Sequence, residues 1–188
     1  MKLTRKGQTK GEVMKGKHRV LIFTGDGKGK TTAAFGMALR ASGEGKRTLI
    51  VQFIKPYSSV GEVAACCYLP SVEIRQTGLG FVPGVSHPSF TEHRQAAQKG
   101  FELALKAMMS DEYDLIILDE VCTAVAKGLL EEDQIKEALL QAHPGVCLVM
   151  TGRDATAGLI DLADTVTEMH SVKHGSSEGW KAQKGVEY

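Results

Sequence analysis

The sequence predicts an α/β domain with a mainly parallel sheet of five or six strands. Short apolar runs of strand length alternate with helical patterns along the chain, and the runs at residues 114–118 and 146–150 are almost uninterrupted. Continuous apolar runs are typical of strands that are covered on both faces, as strands of parallel sheets are. Strands that alternate with helices favour crossover connections within one such sheet.

The apolar runs and the helical periodicity give the elements in order. Strands are predicted at residues 19–24, 48–54, 72–76, 114–118, 146–150 and 165–170, and helices at 31–42, 62–69, from Ser89 onward, and through Ile135, Ala138 and Leu139. Ser89 followed by Glu92 fits a capping box, and the helix after it carries an apolar stripe of Ala97, Phe101, Leu105 and Met108. Ligands of parallel sheets bind beyond the carboxyl ends of the strands. The loops after residues 24, 54, 76, 118 and 150 are therefore the places to look for a site.

Composition limits the classes of function that the chain can serve. A formal net charge of +1 and an aromatic content of 6% disfavour a nucleic-acid partner, and no apolar run is long enough for a membrane span. The four cysteines have neither C-x-x-C spacing nor histidines at the spacing of a zinc site. We expect a cytoplasmic protein without a membrane or nucleic-acid partner, and the adjacent Cys66 and Cys67 are expected to pack in a helix.

Residues 1–18 differ from the rest of the chain because they are strongly basic, with Glu12 as the single acid. The segment can be read as a solubilising tail or as an arm that orders over an anionic or amphipathic ligand. Residues 19–188 contain no linker and are predicted to form one domain.

The strongest motif follows the first predicted strand. It runs Thr24, Gly25, Asp26, Gly27, Lys28, Gly29, Lys30, Thr31, Thr32 between a strand and a helix. Glycines let backbone N–H groups turn toward one anion, the helix N-terminus adds its positive dipole end, Lys30 supplies charge, and the Thr31 hydroxyl can bind Mg²⁺. The motif predicts a P-loop, and hence a P-loop NTPase-like (RecA-like) three-layer fold. Thr24 occupies the position of the usual first glycine, which predicts a tighter opening of the loop.

A pair of acids supports the P-loop. Asp119 and Glu120 follow the apolar run at 114–118, where P-loop proteins place a carboxylate that holds Mg²⁺ directly or through water. The spacing leaves open which of the two lies nearer the metal. From the residues alone, the prediction is a domain that binds a magnesium nucleotide.

At this point the sequence resembles the P-loop family of ATP:corrinoid adenosyltransferases. The resemblance rests on the segments 23–36, 51–55 and 118–120, and further on 151–153, 161–166, 172–174 and 182–188. Members of this family also lack the first glycine of the P-loop. The resemblance implies a transferase in which the Co(I) of a corrinoid attacks the 5′-carbon of ATP and triphosphate leaves.

The resemblance also implies roles for particular residues. Gly25, Asp26, Gly27, Lys28, Gly29, Lys30, Thr31 and Thr32 would hold the triphosphate, with Lys30 neutralising its charge and no protein nucleophile. Thr31 and Glu120 would hold Mg²⁺ or Mn²⁺, with Asp119 behind them. Arg153 is a candidate contact to the nucleotide or the corrinoid.

The corrinoid side is expected near Phe81. The family carries an aromatic pair that drives the lower axial base from cobalt, which raises the Co(II)/Co(I) potential enough for a biological reductant. Phe81 matches the first aromatic residue, whereas Pro83 stands where a Trp is common. Either Phe81 suffices, or Phe90 or His87 completes the pocket, or the mechanism differs.

Partners and competing functions complete the predictions. The resemblance implies a homodimer, a basic arm that helps close the corrinoid site, and a reductant protein such as a flavodoxin or flavin reductase. Two other functions remain in competition: a P-loop phosphotransferase or NTPase acting at the γ-phosphate, and a non-catalytic module that senses ATP or binds nucleic acid. Release of intact triphosphate would distinguish the transferase from the phosphotransferase.

Overall fold

The computed structural model of the protein describes residues 18–56 and 61–186. The strands are β1 (Arg19–Thr24), β2 (Thr48–Gln52), β3 (Val72–Gln76), β4 (Leu115–Asp119), β5 (Cys147–Thr151) and β6 (Thr165–Glu168). The α-helices are α1 (Lys30–Gly43), α2 (Gly61–Cys66), α3 (Phe90–Met108), α4 (Val121–Ala126), α5 (Glu132–Gln141) and α6 (Ala157–Leu162), and a 3₁₀ turn spans Gly175–Glu178. The predicted basic arm lies outside the described residues, apart from His18.

Within this described part, one parallel sheet has the strand order β3-β2-β4-β5-β1-β6. Helix α1 covers one face, where Ala34 and Ala38 pack on Ile50, Ile117 and Val149. The other face carries the larger apolar core, to which α3, α4, α5 and α6 contribute. Helices on both faces of a parallel sheet make the predicted three-layer α/β fold correct.

Strand register brings polar residues into one row at the carboxyl edge of the sheet. Gln76 pairs with Gln52 in register, and Gln52 with Asp119. Side chains two residues apart in a strand share a face. Gln52 and Asp119 therefore lie on the α1 face, directly beyond Ile50 and Ile117, and both are fully buried. The row sits beneath the start of α1, where the P-loop ends.

Local predictions were wrong at several places. Ser89 forms no capping bond to α3, because its hydroxyl pairs with Nδ1 of His87 at 2.8 Å and its backbone is already helical. Strand β2 ends at Gln52 rather than at residue 54, since the chain turns where Phe53 enters the core. Helices α4 and α6 were not predicted, because six residues are too few to produce a helical period in the sequence.

Among the described residues, no helix combines the length and apolar character needed to cross a membrane. Cys66 is buried at the end of α2, whereas its neighbour Cys67 is exposed, so only one of the pair packs as predicted.

Candidate functional site

The P-loop opens with two glycines that lie against the end of β6. The N–H of Gly27 donates to the carbonyl oxygen of Met169 at 2.7 Å, and the N–H of Met169 donates to Thr24 at 2.9 Å. A Cβ atom on Gly27 would lie 2.7 Å from the Met169 carbonyl, which is closer than real Cβ contacts allow. Gly25 and Gly29 have φ values of 95° and 113°, which favour glycine. The glycines are therefore required both by close approach and by backbone conformation.

Thr24 replaces the usual first glycine for a packing reason. Its side chain is buried, and its hydroxyl oxygen accepts a hydrogen bond from the N–H of Ala155 at 3.3 Å. Ala155 belongs to the loop that follows β5. This hydrogen bond links two loops at the carboxyl edge of the sheet, and the tighter opening of the P-loop stays a prediction.

Lys30, the first residue of α1, is held inside the P-loop. Its ammonium donates to the carbonyl oxygens of Gly25 and Gly27, both at 2.7 Å. Burial lowers the pKa of Lys30 below its ordinary value, the Glu120 carboxylate opposes this shift, and the Arg153 charge adds to it. The first turn of α1 contains no acidic residue. Positive charge and the N-terminal end of the helix dipole therefore coincide here, as an anion site requires.

Asp119, at the end of β4, is completely buried and accepts hydrogen bonds on both carboxylate oxygens. Oδ1 accepts from the hydroxyls of Thr31 and Thr151, each at 2.8 Å. Oδ2 accepts from Nε2 of Gln52 at 2.9 Å. Burial of a carboxylate is tolerated when several donors compensate for lost hydration. Three protein donors occupy Asp119, so its oxygens face the protein rather than the open site.

Glu120 faces the site in a strained conformation. Its φ is 65°, in the left-handed region that a non-glycine residue adopts rarely. The Thr123 hydroxyl donates to Oε2 of Glu120 and accepts from the N–H of Arg153 at 2.9 Å. One hydroxyl thus connects a carboxylate and an arginine on neighbouring loops. Backbone strain that surrounding contacts hold in place is typical of functional sites.

These groups surround a cavity of about 880 Å³ beside the P-loop. It is lined by residues 26–32 of the loop and α1, by Glu120 and Arg153 from the loops after β4 and β5, and by Lys55, Glu62, Ser171 and His174 among others. A second cavity of about 360 Å³ adjoins Gly25, Asp26 and Arg153. Apart from Gly25 and Asp119, the predicted nucleotide and metal residues all reach the larger cavity.

The sequence matches one protein family over nearly its whole length. The family model described as ATP:corrinoid adenosyltransferase BtuR/CobO/CobP matches residues 16–188. The chain belongs to the ATP:corrinoid adenosyltransferases. The enzymes of this family are transferases that move the adenosyl group of ATP to a corrinoid, and the predicted function is therefore confirmed at that level.

Individual relatives agree with the family. A corrinoid adenosyltransferase of Pseudomonas aeruginosa is 41% identical over 175 residues, which cover 90% of this chain and 83% of that protein. Corrinoid adenosyltransferase CobA of Salmonella typhimurium is 39% identical and that of Escherichia coli K12 is 35% identical, each over 90% of this chain and 85% of the relative. The range matched by the family model, residues 16–188, includes the described sheet, the P-loop and the acid pair.

The loop expected to contact the corrinoid is anchored at its start and open at Phe81. The N–H groups of Thr77 and Gly78 point to the Gln52 carbonyl at 3.0 and 3.3 Å, and that of Gly80 donates to Ile54 at 2.8 Å. Phe81 follows with 93% of its surface exposed. It lines neither cavity, so the residues expected to bind the nucleotide and the residue expected to contact the corrinoid do not line one pocket.

Phe90 and His87, the two residues considered as partners of Phe81 in a corrinoid pocket, differ in exposure. Phe90 begins α3 and is buried in the main apolar core, so it is not available to complete a pocket beside Phe81. His87 is exposed and pairs with Ser89. Of the two, only His87 has a surface that a ligand could reach.

Sequence reasoning assigned no role to several residues at the candidate site. Lys55 lines the cavity and pairs with Glu62 at 2.7 Å. Burial raises the pKa of Glu62, but hydrogen bonds from Lys55 and from its own backbone, and the Lys55 charge, outweigh this and leave the pKa below its ordinary value. Gln52, Thr151 and Thr123 were also missed. A polar residue at the end of an otherwise apolar strand was the available signal for Gln52 and Thr151.

Proposed function

We propose that the P-loop cavity binds ATP through its triphosphate and presents the 5′-carbon to a corrinoid at the Phe81 loop. In the reaction, the electron pair of Co(I) forms the cobalt–carbon bond while the bond from C5′ to the triphosphate oxygen breaks. The carbon is transferred as part of the 5′-deoxyadenosyl group, and intact triphosphate leaves with the bonding electrons and the 5′-oxygen. The observation that carries this proposal is the convergence of Lys30, Thr31, Glu120 and Arg153 on one cavity in a chain of this family.

The protein supplies charge and position rather than a nucleophile, because the attacking electron pair belongs to the substrate. The P-loop N–H groups between Gly25 and Lys30, except that of Gly27, which donates to Met169, would neutralise the triphosphate together with the side chains of Lys30, Thr31 and Thr32. The triphosphate gains charge as it leaves. Arg153, on the opposite wall, would contact the phosphates. Charge stabilisation that grows with bond breaking lowers the barrier and not merely the binding constant.

The oxygen groups at the site suit a magnesium ion. Mg²⁺ prefers oxygen ligands, and the Thr31 hydroxyl and the Glu120 carboxylate supply them at the cavity wall. Asp119 would not bind the ion directly but would hold the Thr31 hydroxyl, because three protein donors already occupy its oxygens. The ion would neutralise part of the triphosphate charge. Mn²⁺ has similar ligand preferences and would be expected to substitute.

The exposed ring of Phe81 would contact the lower face of the corrin and keep the axial base away from cobalt. Removal of that ligand would make Co(II) easier to reduce, which a flavodoxin or flavin reductase could then achieve. His87 is the remaining candidate for a second contact, in place of the Trp that Pro83 replaces. We further propose a homodimer, which the family resemblance implies, and a cytoplasmic location, which the cysteine pattern favours.

The test is anaerobic incubation of the protein with ATP, Mg²⁺ and chemically reduced cobalamin. The expected result is loss of the Co(I) absorption band, with a light-sensitive adenosylated corrinoid and triphosphate formed in equal amounts. If Co(I) persists while ADP or orthophosphate accumulates, the cavity serves γ-phosphate chemistry and the proposal is wrong. Cobinamide in place of cobalamin would show whether the lower base affects the rate.

A further inference from the structure

A hydrogen-bonded row of Gln76, Gln52 and Asp119 runs along the carboxyl edge of the sheet to the P-loop, and Gln76, at its outer end, is half-buried. Nε2 of Gln76 donates to Oε1 of Gln52 at 2.9 Å, and Nε2 of Gln52 donates to Oδ2 of Asp119 at 2.9 Å. Gln52 and Asp119 have no exposed surface. Gln52 and Asp119 continue the apolar rows beneath α1, so both are enclosed by the sheet and the helix rather than by solvent.

The direction of the hydrogen bonds follows from chemistry. A carboxylate oxygen can only accept, so Gln52 must turn its NH₂ group toward Asp119 and its carbonyl oxygen toward Gln76. Gln76 must then present its own NH₂ group. Asp119 therefore sets the orientation of both amides. In turn, the Gln52 amide sets the plane of the Asp119 carboxylate, because it binds Oδ2 while Thr31 and Thr151 bind Oδ1.

The plane of that carboxylate decides where the Thr31 hydroxyl points. Thr31 has a single O–H group, which donates to Oδ1 of Asp119 at 2.8 Å. With its proton committed there, the lone pairs of Oγ1 are directed away from Asp119 and are free to bind a cation. If Asp119 rotated, Oδ1 would move and the hydroxyl would follow it.

We propose that Gln52 is a positioning residue that holds Asp119, and through it the Thr31 hydroxyl, in the orientation needed to bind the metal of the nucleotide. Gln76 supports this role by fixing the orientation of the Gln52 amide. The inference rests on the proposed function for the presence of a magnesium nucleotide. It assigns Gln52 no contact with substrate.

The experiment compares ATP dissociation constants measured by calorimetry with Mg²⁺ and with a chelator. Gln52→Leu keeps the size of the side chain but removes both hydrogen bonds. We expect its dissociation constant to rise by about tenfold with Mg²⁺, equal to about 1.4 kcal/mol, and to change less than about twofold without it. Glu120→Gln serves as the reference for loss of a direct metal ligand and should show the same metal-specific pattern.

The matched control is Thr48→Val. Thr48 lies on the same strand and face as Gln52, is equally buried, and its hydroxyl has no hydrogen-bond partner in the described part of the chain. We expect this variant to bind ATP like the unaltered chain under both conditions. A second variant, Gln76→Leu, keeps the bond between Gln52 and Asp119 and should give a smaller change of the same metal-specific kind, which protects the test if Gln52→Leu folds poorly.

The outcomes separate the inference from the proposed function. Equal weakening of ATP binding with and without Mg²⁺ in both glutamine variants, or no weakening in either, would overturn the positioning role. ATP binding by the unaltered chain that ignores Mg²⁺ would also overturn it, although adenosyl transfer could still be intact. Absence of adenosyl transfer in the unaltered chain, with metal-dependent ATP binding preserved, would instead overturn the proposed function.

Discussion

The N–H of Gly27 donates to the carbonyl oxygen of Met169 at 2.7 Å, so the P-loop packs against the backbone that follows the edge strand β6. This contact uses one loop amide for structure and brings the loop too close to Met169 for a side chain at residue 27. The shape of the anion site is therefore set partly by an element more than 140 residues away in the sequence.

Substitution of Gly27 by alanine tests this contact. Because the added Cβ would meet backbone, which cannot rotate away, we expect Gly27→Ala to displace the loop, lower the melting temperature and reduce adenosyl transfer by at least about tenfold. Gly36→Ala is the control, since Gly36 lies in the exposed middle of α1 with open space around it. It should raise the free energy of unfolding by about 0.5–1 kcal/mol and leave activity unchanged. Normal activity of Gly27→Ala would contradict the interpretation.

Removal of the Lys30 ammonium tests the charge at the anion site. We expect Lys30→Ala to reduce adenosyl transfer by at least about tenfold, or about 1.4 kcal/mol of transition-state stabilisation. The measurement is kcat/KM for ATP at saturating corrinoid. Lys46→Ala, which removes an exposed partner of Asp114 at the opposite end of the sheet, should retain full activity. A Lys30→Ala enzyme within twofold of the unaltered protein would refute the role of this lysine.

Phe81 offers a test of the corrinoid loop that is separate from stability. The ring is almost fully exposed, so Phe81→Ala should leave the melting temperature nearly unchanged. Loss of one aromatic contact of about 1 kcal/mol should raise the Michaelis constant for the corrinoid about fivefold, with that for ATP unaffected. Leu140→Ala, at an exposed apolar position of α5, is the control. Equal kinetics of Phe81→Ala and the control would exclude a corrinoid contact.

The basic segment 1–18 can be tested by deletion. If it helps to close the corrinoid site, the shortened chain should show a higher Michaelis constant for the corrinoid and an unchanged dissociation constant for ATP. A tail that serves only solubility predicts the same kinetic constants in both chains. The comparison should be made at equal ionic strength, because the segment is cationic.

Thiol reactivity tests the packing beside the acid pair. Burial raises the pKa of Cys122 to about 12, and the nearby Glu120 charge adds to the rise. Burial disfavours the thiolate, so at pH 8 only about one molecule in ten thousand carries it, and reactivity should increase only toward pH 12 or on unfolding. We expect a maleimide to label exposed Cys67 rapidly in the native protein and Cys122 only in denaturant. Cys67→Ser should abolish the rapid phase; rapid labelling of Cys122 in that variant would contradict its burial.

The sequence by itself determined the fold class and the local parts of the site. A phosphate site could be predicted from the P-loop motif alone, because its glycines, Lys30 and Thr31 are adjacent in the chain and belong to one strand-to-helix turn. The buried strands were evident from continuous apolar runs, which a sheet covered on both faces requires. Boundaries were less predictable. Ser89 has a capping sequence, yet the competing bond with His87 is the one that forms.

Tertiary structure decided which residues from different strands act together. Gln52, Asp119 and Thr151 are separated by at least 32 residues from one another, and only parallel pairing in register brings them into one buried row. The open choice between Asp119 and Glu120 had the same origin. Asp119 ends β4, whereas Glu120 follows the strand in a left-handed conformation, so the first is enclosed by donors and the second faces the cavity. Register and burial depend on the whole sheet, which is why no single segment of the sequence contains that information.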